Sequence, residues 1–247
     1  MSSWALPRRR SEPYTNRSSI TLLLPLHGEP LVARPRVIRV DPEQPDPRAI
    51  EEAARAVRGG GLVVYPTDTV YGLGADPLSR EAVLRVYRAK ERPLGRPLPV
   101  LVSGSEAAER LARVTPEARR LMDRFWPGAL TIVLEARPQL PEELHGGTGK
   151  VGVRMPAHPV ALELIRASGG ALVGTSANLH GRPSPRTAEE ALEQLGDRVD
   201  IVLDAGPAPG GTPSTVVDLT TRPPRILRRG PITREEVEKV LGVEVEG

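Results

Sequence analysis

Four cations are placed where they could do chemistry. Lys90 and Arg92 follow a helical pattern and precede Pro93, which ties them to a constrained loop. Arg154 falls between a short apolar run and Met155-Pro156, and Arg228 precedes Arg229-Gly230-Pro231. Lysine offers a point charge suited to phosphate; arginine offers a planar fork for carboxylate or phosphate. Three hydroxyl-rich stretches accompany them. Thr67, Asp68, Thr69 and Tyr71 follow the apolar run 62–65 and Pro66, with Gly72 and Gly74 placed to let the backbone bend. Thr175, Ser176 and Asn178 follow the run 171–174, and residues 212–218 read TPSTVVD. Such loops at strand ends are where open α/β folds hold ligands. Hydroxyls, amides and cations of this kind suit a small zwitterion plus a phosphorylated nucleotide. They supply positioning and charge stabilisation rather than covalent catalysis. Each feature also has a plainer reading. Thr, Ser and Asn bond their own turns, and cations after a helix complement its dipole.

Other chemistries lack their residues. The chain has no Cys, which excludes disulfides and thiolate catalysis. The four histidines (27, 145, 158, 180) show no metal spacing. There is no GxGxxG or GxSxG, and Gly149-Lys150 fails as a P-loop because Val151 stands where Ser or Thr is needed. The net charge of +3 is carried by the front end. Residues 1–40 hold seven Arg and two Glu, so they carry +5 and the remainder carries −2. Lysine occurs only at 90, 150 and 239, and arginine supplies the other 31 positive charges. No apolar run approaches the roughly 18 residues of a membrane span, so a soluble, cytoplasmic protein without membrane contact is expected.

The elements that must position these residues are readable. Residues 1–35 hold five prolines and no periodicity, and read as a disordered basic extension. A domain over 36–247 follows. Strands are expected at 36–40, 62–65, 98–102, 129–135, 151–154, 171–174, 199–204, 214–219 and 225–228. Helices are expected from Pro47 to about Arg58, over 79–90, as two short segments between 102 and 129, and over 159–167 and 187–195, with another at the C-terminus. Capping boxes pair Thr187 with Glu190 and Thr233 with Glu236. Strands and helices interleave without a strict βαβ rhythm. That predicts an α/β (α+β) fold, a twisted mixed β-sheet flanked by helices.

Six segments in order, PTDTVYGLG (66–74), KERP (90–93), VGVRMP (151–156), TSANLHGRPSP (175–185), PSTVVDL (213–219) and ILRRGPI (226–232), resemble the YrdC-like family of threonylcarbamoyl-AMP synthases. The resemblance covers about residues 36–242 and implies a single-domain form with a concave ligand pocket. It implies that L-threonine, bicarbonate and ATP give threonylcarbamoyl-AMP and pyrophosphate, with Mg2+ accompanying ATP, to feed a downstream tRNA threonylcarbamoyl-transfer machinery. It assigns Lys90 and Arg92 to the phosphates and the new carbamate or carboxylate. Thr67, Arg154 and Ser214 fall to L-threonine, and Ser176, Asn178, Ser184 and Arg228, with Lys90, to ATP. Leu101 stands where many members carry a His, and His180 replaces a Ser of the SAN-x-SG pattern. Asp68 is the nearest candidate base. Two alternatives remain: an RNA-binding paralogue without synthase activity, with weak RNA contact, and a carbamoyl-transfer enzyme. Few aromatics for base stacking oppose the first, and the lack of Cys-rich segments opposes the second.

Overall fold

The computed structural model describes residues 34–247, so the expected basic extension lies outside the described residues apart from its last two positions. In chain order the elements are β1 (Arg36–Arg39), α1 (Pro47–Arg58), β2 (Val63–Tyr65), β3 (Gly72–Gly74), α2 (Arg80–Ala89), β4 (Val100–Val102), α3 (Ser105–Leu111), α4 (Pro116–Phe125), β5 (Leu130–Glu135) and α5 (Glu142–His145). There follow β6 (Lys150–Arg154), α6 (Pro159–Ala167), β7 (Ala171–Val173), β8 (Thr175–Ser176), α7 (Ala188–Leu195), β9 (Ile201–Asp204), β10 (Thr215–Asp218), β11 (Arg225–Arg228) and α8 (Arg234–Leu241). The mixed α/β class is as expected, but the strands form two sheets. One has the order β1-β9-β2-β3-β8, the other β11-β10-β5-β6-β4-β7. Both mix parallel and antiparallel pairs; β10 runs parallel to β5, and β5 antiparallel to β6. No helix of the described residues is long and apolar enough to cross a membrane.

Local sequence explains the helix starts. Asp46 accepts from the Arg48 N–H with Pro47 at the first position, and Ser79 and Thr115 cap α2 and α4 in the same way. The box at Thr233 and Glu236 is complete. The box expected at Thr187 is half made. Thr187 accepts from the Glu190 N–H, but the Glu190 carboxylate reaches one residue further back, to the Arg186 N–H at 2.7 Å.

The core divides at the five-stranded sheet. Val63 and Tyr65 of β2 pack with Ile50, Val57 and Leu164 of α1 and α6, while Leu62 and Val64 face the larger cluster. Both faces of β2 are thus covered, which is why its sequence is apolar without alternation. Burying Ile50 and Val57 contributes about 1.5–3 kcal/mol each. Gly72 and Gly74 do not bend a loop; they pair with Tyr65 and Val63 as β3. Their missing side chains serve packing. A Cβ on Gly74 would come 2.8 Å from Leu172 Cδ2 and Tyr65 Cε1.

Gly230 makes another such contact, against backbone of the third polar loop. A Cβ there would collide with the Thr215 nitrogen and come 2.6 Å from the Pro213 oxygen and the Ser214 carbonyl carbon. These are backbone atoms that cannot rotate away. Gly230→Ala is therefore expected to cost about 1–3 kcal/mol, a drop of roughly 2–4 °C in Tm per kcal/mol. Calorimetry that finds an unchanged Tm contradicts this packing.

Candidate active site

The hydroxyl loops and cations converge on one cavity of about 460 Å³ between the two sheets. Its floor is one face of the six-stranded sheet. Val216 lies opposite Thr131, and Val133 opposite Gly152, so Thr131, Gly152, Arg154, Ser214 and Val216 share that face. The five-stranded sheet contributes Thr67 and Thr69 from the β2–β3 loop, and Ser176 from β8. Arg92 and Arg228 also line it.

Arg154 fixes one end. It is buried, and its three nitrogens each donate: Nε to Gly128 O at 2.8 Å, one Nη to Thr69 Oγ1 at 3.0 Å, the other to Asp68 Oδ1 at 2.6 Å. Asp68 also accepts from the Ala157 N–H at 3.0 Å. Because Thr69 Oγ1 accepts from Arg154, its proton goes to Thr67 Oγ1, 3.0 Å away, and Thr67 donates in turn to Val70 O at 2.7 Å. Thr67 Oγ1 also accepts from the Thr69 and Val70 N–H groups. Ser214 Oγ lies 2.8 Å from Thr131 Oγ1 and accepts from Arg228 at 3.0 Å.

Lys90 sits behind the wall. It is only 2% exposed, and its ammonium donates to the carbonyls of Ser176 and Asn178. The turn that places it is a Schellman motif. The Glu91 N–H donates to Arg88 O and the Arg92 N–H to Tyr87 O. Glu91 takes the left-handed position, φ 50°, usually held by Gly. Burial, with repulsion from Arg92, pulls Lys90 down to about 7. The two carbonyls favour the ammonium, yet they replace water only in part, so the downward direction stands. Burial likewise lowers Arg92 and Arg228, with Arg154 adding repulsion on Arg228. This cation-rich end favours a bound polyanion.

The family model Sua5/YciO/YrdC, described as telomere recombination, matches residues 55–230. The chain belongs to this family. A Mycobacterium tuberculosis relative is 47% identical over 205 residues, covering 83% of this chain and 94% of that one. A Pyrococcus abyssi protein named threonylcarbamoyl-AMP synthase is 45% identical over 194 residues, or 78% of this chain and 57% of its own length. The crystal structure of P. abyssi Sua5 complexed with L-threonine superposes with a TM-score of 0.81 at 43% identity, covering 85% of this chain and 62% of that one. The chain thus spans about three fifths of the Pyrococcus proteins it matches.

The residues assigned from the YrdC-like motifs distribute unevenly. Thr67, Arg92, Arg154, Ser176, Ser214 and Arg228 line the cavity. Lys90, Asn178 and Ser184 do not. Asn178 is buried; its amide donates to Leu179 O and Arg182 O at 2.8 Å and so shapes the 179–182 loop. Thr67, buried beside the cavity, has its hydroxyl engaged in its own turn, the plainer role such residues offer. Asp68 is committed to Arg154 and Ala157 rather than standing free as a base. Sequence reasoning named Thr69 in the first hydroxyl cluster without giving it a ligand, and gave no role to Thr131, Lys150 or Asp218; all four are in the lining. Counting by twos along the strands finds two of them: Lys150 is four before Arg154, and Asp218 four after Ser214.

The low value at Lys90 has a pH consequence. In the unfolded chain it titrates near 10.5, in the fold near 7. Between these values the unfolded state holds the extra proton, so this group's contribution to stability is lowest below about pH 7 and rises toward about pH 10. Urea denaturation is expected to show the stability of the parent rising relative to Lys90→Met across that window. A difference independent of pH contradicts it.

Proposed function

We propose that this chain is a threonylcarbamoyl-AMP synthase, joining L-threonine, bicarbonate and ATP into threonylcarbamoyl-AMP and pyrophosphate. The observation that carries the reading is the convergence of Arg92, Arg154 and Arg228 with the hydroxyls of Ser176 and Ser214 on one cavity of about 460 Å³. The cations repel one another, and a triphosphate and a carboxylate relieve that repulsion. Curated relatives from P. abyssi and Bacillus subtilis named threonylcarbamoyl-AMP synthase match at 45% and 44% identity, and the P. abyssi structure holds L-threonine.

In this reading the threonine amine attacks the carbon of bicarbonate and the bond to its hydroxyl oxygen breaks; the hydroxyl takes an amine proton and leaves as water, giving a carbamate. A carbamate oxygen then attacks the α-phosphorus as the bond to the β-phosphate oxygen breaks, and pyrophosphate leaves. Arg92 and Arg228 hold the phosphates. Arg154 keeps one N–H on each terminal nitrogen beyond its protein bonds, and these take the threonine carboxylate. Lys90 acts through the Ser176–Asn178 backbone, which it braces. Ser176, whose hydroxyl has no partner among the described residues, faces the nucleotide. Magnesium would accompany ATP as its counter-ion and offset phosphate charge. Among the described residues no group of three His, Asp or Glu is placed to hold it; Asp218 in the lining pairs with Lys150, and Asp68 behind Thr67 and Thr69 with Arg154, so the ion would be carried by the nucleotide. The product is a mixed anhydride. A separate transferase acting on tRNA in the cytoplasm would consume it.

Pyrophosphate release is expected to require L-threonine, bicarbonate and ATP together. Release independent of threonine, or none with all three, sinks the proposal. Arg92 is half-buried and bonded only at 3.1–3.5 Å, so Arg92→Ala leaves the fold intact. It is expected to lower kcat/KM by about 10²-fold, and parent-like kinetics would remove Arg92 from the site.

A further inference from the structure

The loop after β8 and the turn after α2 hold each other at four points. The Lys90 ammonium donates to Ser176 O and to Asn178 O, the latter at 2.6 Å. The other two contacts involve His180, the residue that replaces a Ser of the SAN-x-SG pattern. Its N–H donates to Lys90 O at 2.8 Å, and its Nδ1 lies 3.5 Å from one Nη of Arg92. The backbone around His180 is fixed from both sides. The Leu179 N–H donates to Gln194 Oε1 at 3.1 Å, and the Asn178 amide donates to Arg182 O at 2.8 Å. His180 is half-buried and does not line the cavity, whereas Arg92 does.

Arg92 has few other restraints. Its Nε donates to Arg96 O at 3.3 Å and its second Nη to Pro97 O at 3.1 Å. Both acceptors belong to the loop that carries Arg92, so they fix the guanidinium only relative to that loop. His180 ties it to another part of the fold. A guanidinium has no acceptor, so His180 Nδ1 accepts and the neutral ring carries its proton on Nε2. The charged groups that face the ring are Lys90, Arg92 and Arg96, all cations. Gln194 of α7 is neutral, and Arg182 on the same loop as His180 is exposed. Partial burial, and then repulsion from Arg92, Arg96 and Lys90, pulls the imidazole below its usual value. The ring is therefore neutral at pH 7 and able to accept.

We propose that His180 is a positioning residue for Arg92: neutral, it accepts from the guanidinium and holds it where a triphosphate is bound, and protonated it lets the guanidinium go. The inference rests on the reading of this cavity as a synthase site. A protonated imidazole offers only N–H groups and a positive charge, so its contact with a guanidinium turns repulsive. At 3.5 Å the contact is the longest of the three on Arg92 and the readiest to break. Arg92 then loses its orientation, while its charge stays close and His180 adds another. Acidification is therefore expected to cost turnover rather than ATP affinity. A serine at this position, as in the pattern, does not titrate in this range and gives no such dependence.

The test compares pyrophosphate release by the full chain with that of His180→Ala, His180→Asn, Arg92→Ala and the double variant of His180→Ala with Arg92→Ala, between about pH 5 and pH 8. At the alkaline end His180→Ala is expected to lower kcat about tenfold and to leave the KM for ATP near that of the parent. His180→Asn, whose Oδ1 accepts but does not titrate, should restore most of kcat and lose the acid-side fall that the parent shows. In the Arg92→Ala background His180→Ala should cost nothing further. A reading independent of turnover comes from the imidazole NMR signal that His180→Asn removes. It should titrate below about 6.5 and move up in Arg92→Ala. Parent-like kcat in His180→Ala, a rise in KM alone, an equal loss in both backgrounds, or an acid-side fall kept by His180→Asn overturns the proposal. The two readings fail separately: no pyrophosphate release with a signal that still follows Arg92 removes only the synthase reading, whereas full turnover with a signal that ignores Arg92 removes only the positioning role.

Discussion

The ion pair between Arg154 and Asp68 joins the two sheets at the cavity. Arg154 ends β6 in the six-stranded sheet, and Asp68 lies in the loop after β2 in the five-stranded one. Their side chains are 6% and 14% exposed. Removing either partner leaves a buried charge uncompensated, which costs about 3–5 kcal/mol. The pair also sets the direction of the hydroxyl chain through Thr69 and Thr67 to Val70 O, so one guanidinium orders the loop that roofs this end. A substrate held there meets groups whose orientations are already fixed. That pre-organisation converts binding into reactive geometry.

The cationic character of the cavity carries a cost in stability. Lys90 is buried against two carbonyls and repelled by Arg92, and Arg228 is repelled by Arg154. The turn between Lys90 and Arg92 adds strain, because Glu91 holds a left-handed backbone that costs on the order of 1 kcal/mol without Gly. Unfavourable terms gathered at one place are the mark of a site shaped for its ligand rather than for stability. The core offsets them, with β2 buried on both faces beneath α1 and α6.

The fold class and most element positions were legible because their causes are local. Caps at Asp46, Ser79 and Thr115, and the apolar runs, lie within a few residues of what they specify. Gly72 and Gly74 were misread as a bend for a non-local reason: their close neighbours are Tyr65 and Leu172, and the latter is about a hundred residues away. Glu190 missed its expected cap because the Arg186 N–H was also within reach.

The family motifs, the cations at 90, 92, 154 and 228, and the hydroxyl loops that follow the strands are all legible along the chain. Tertiary structure decided what each one faces. It buried Lys90 behind the wall, engaged Thr67 in its own turn, left Ser184 outside the cavity and brought Lys150 and Asp218 onto its floor. Strand alternation tells which side chains share a face, but not which strand lies alongside or which sheet covers it. Those depend on pairings such as β10 with β5 and β5 with β6, whose strands lie far apart in the chain or whose register no single segment encodes.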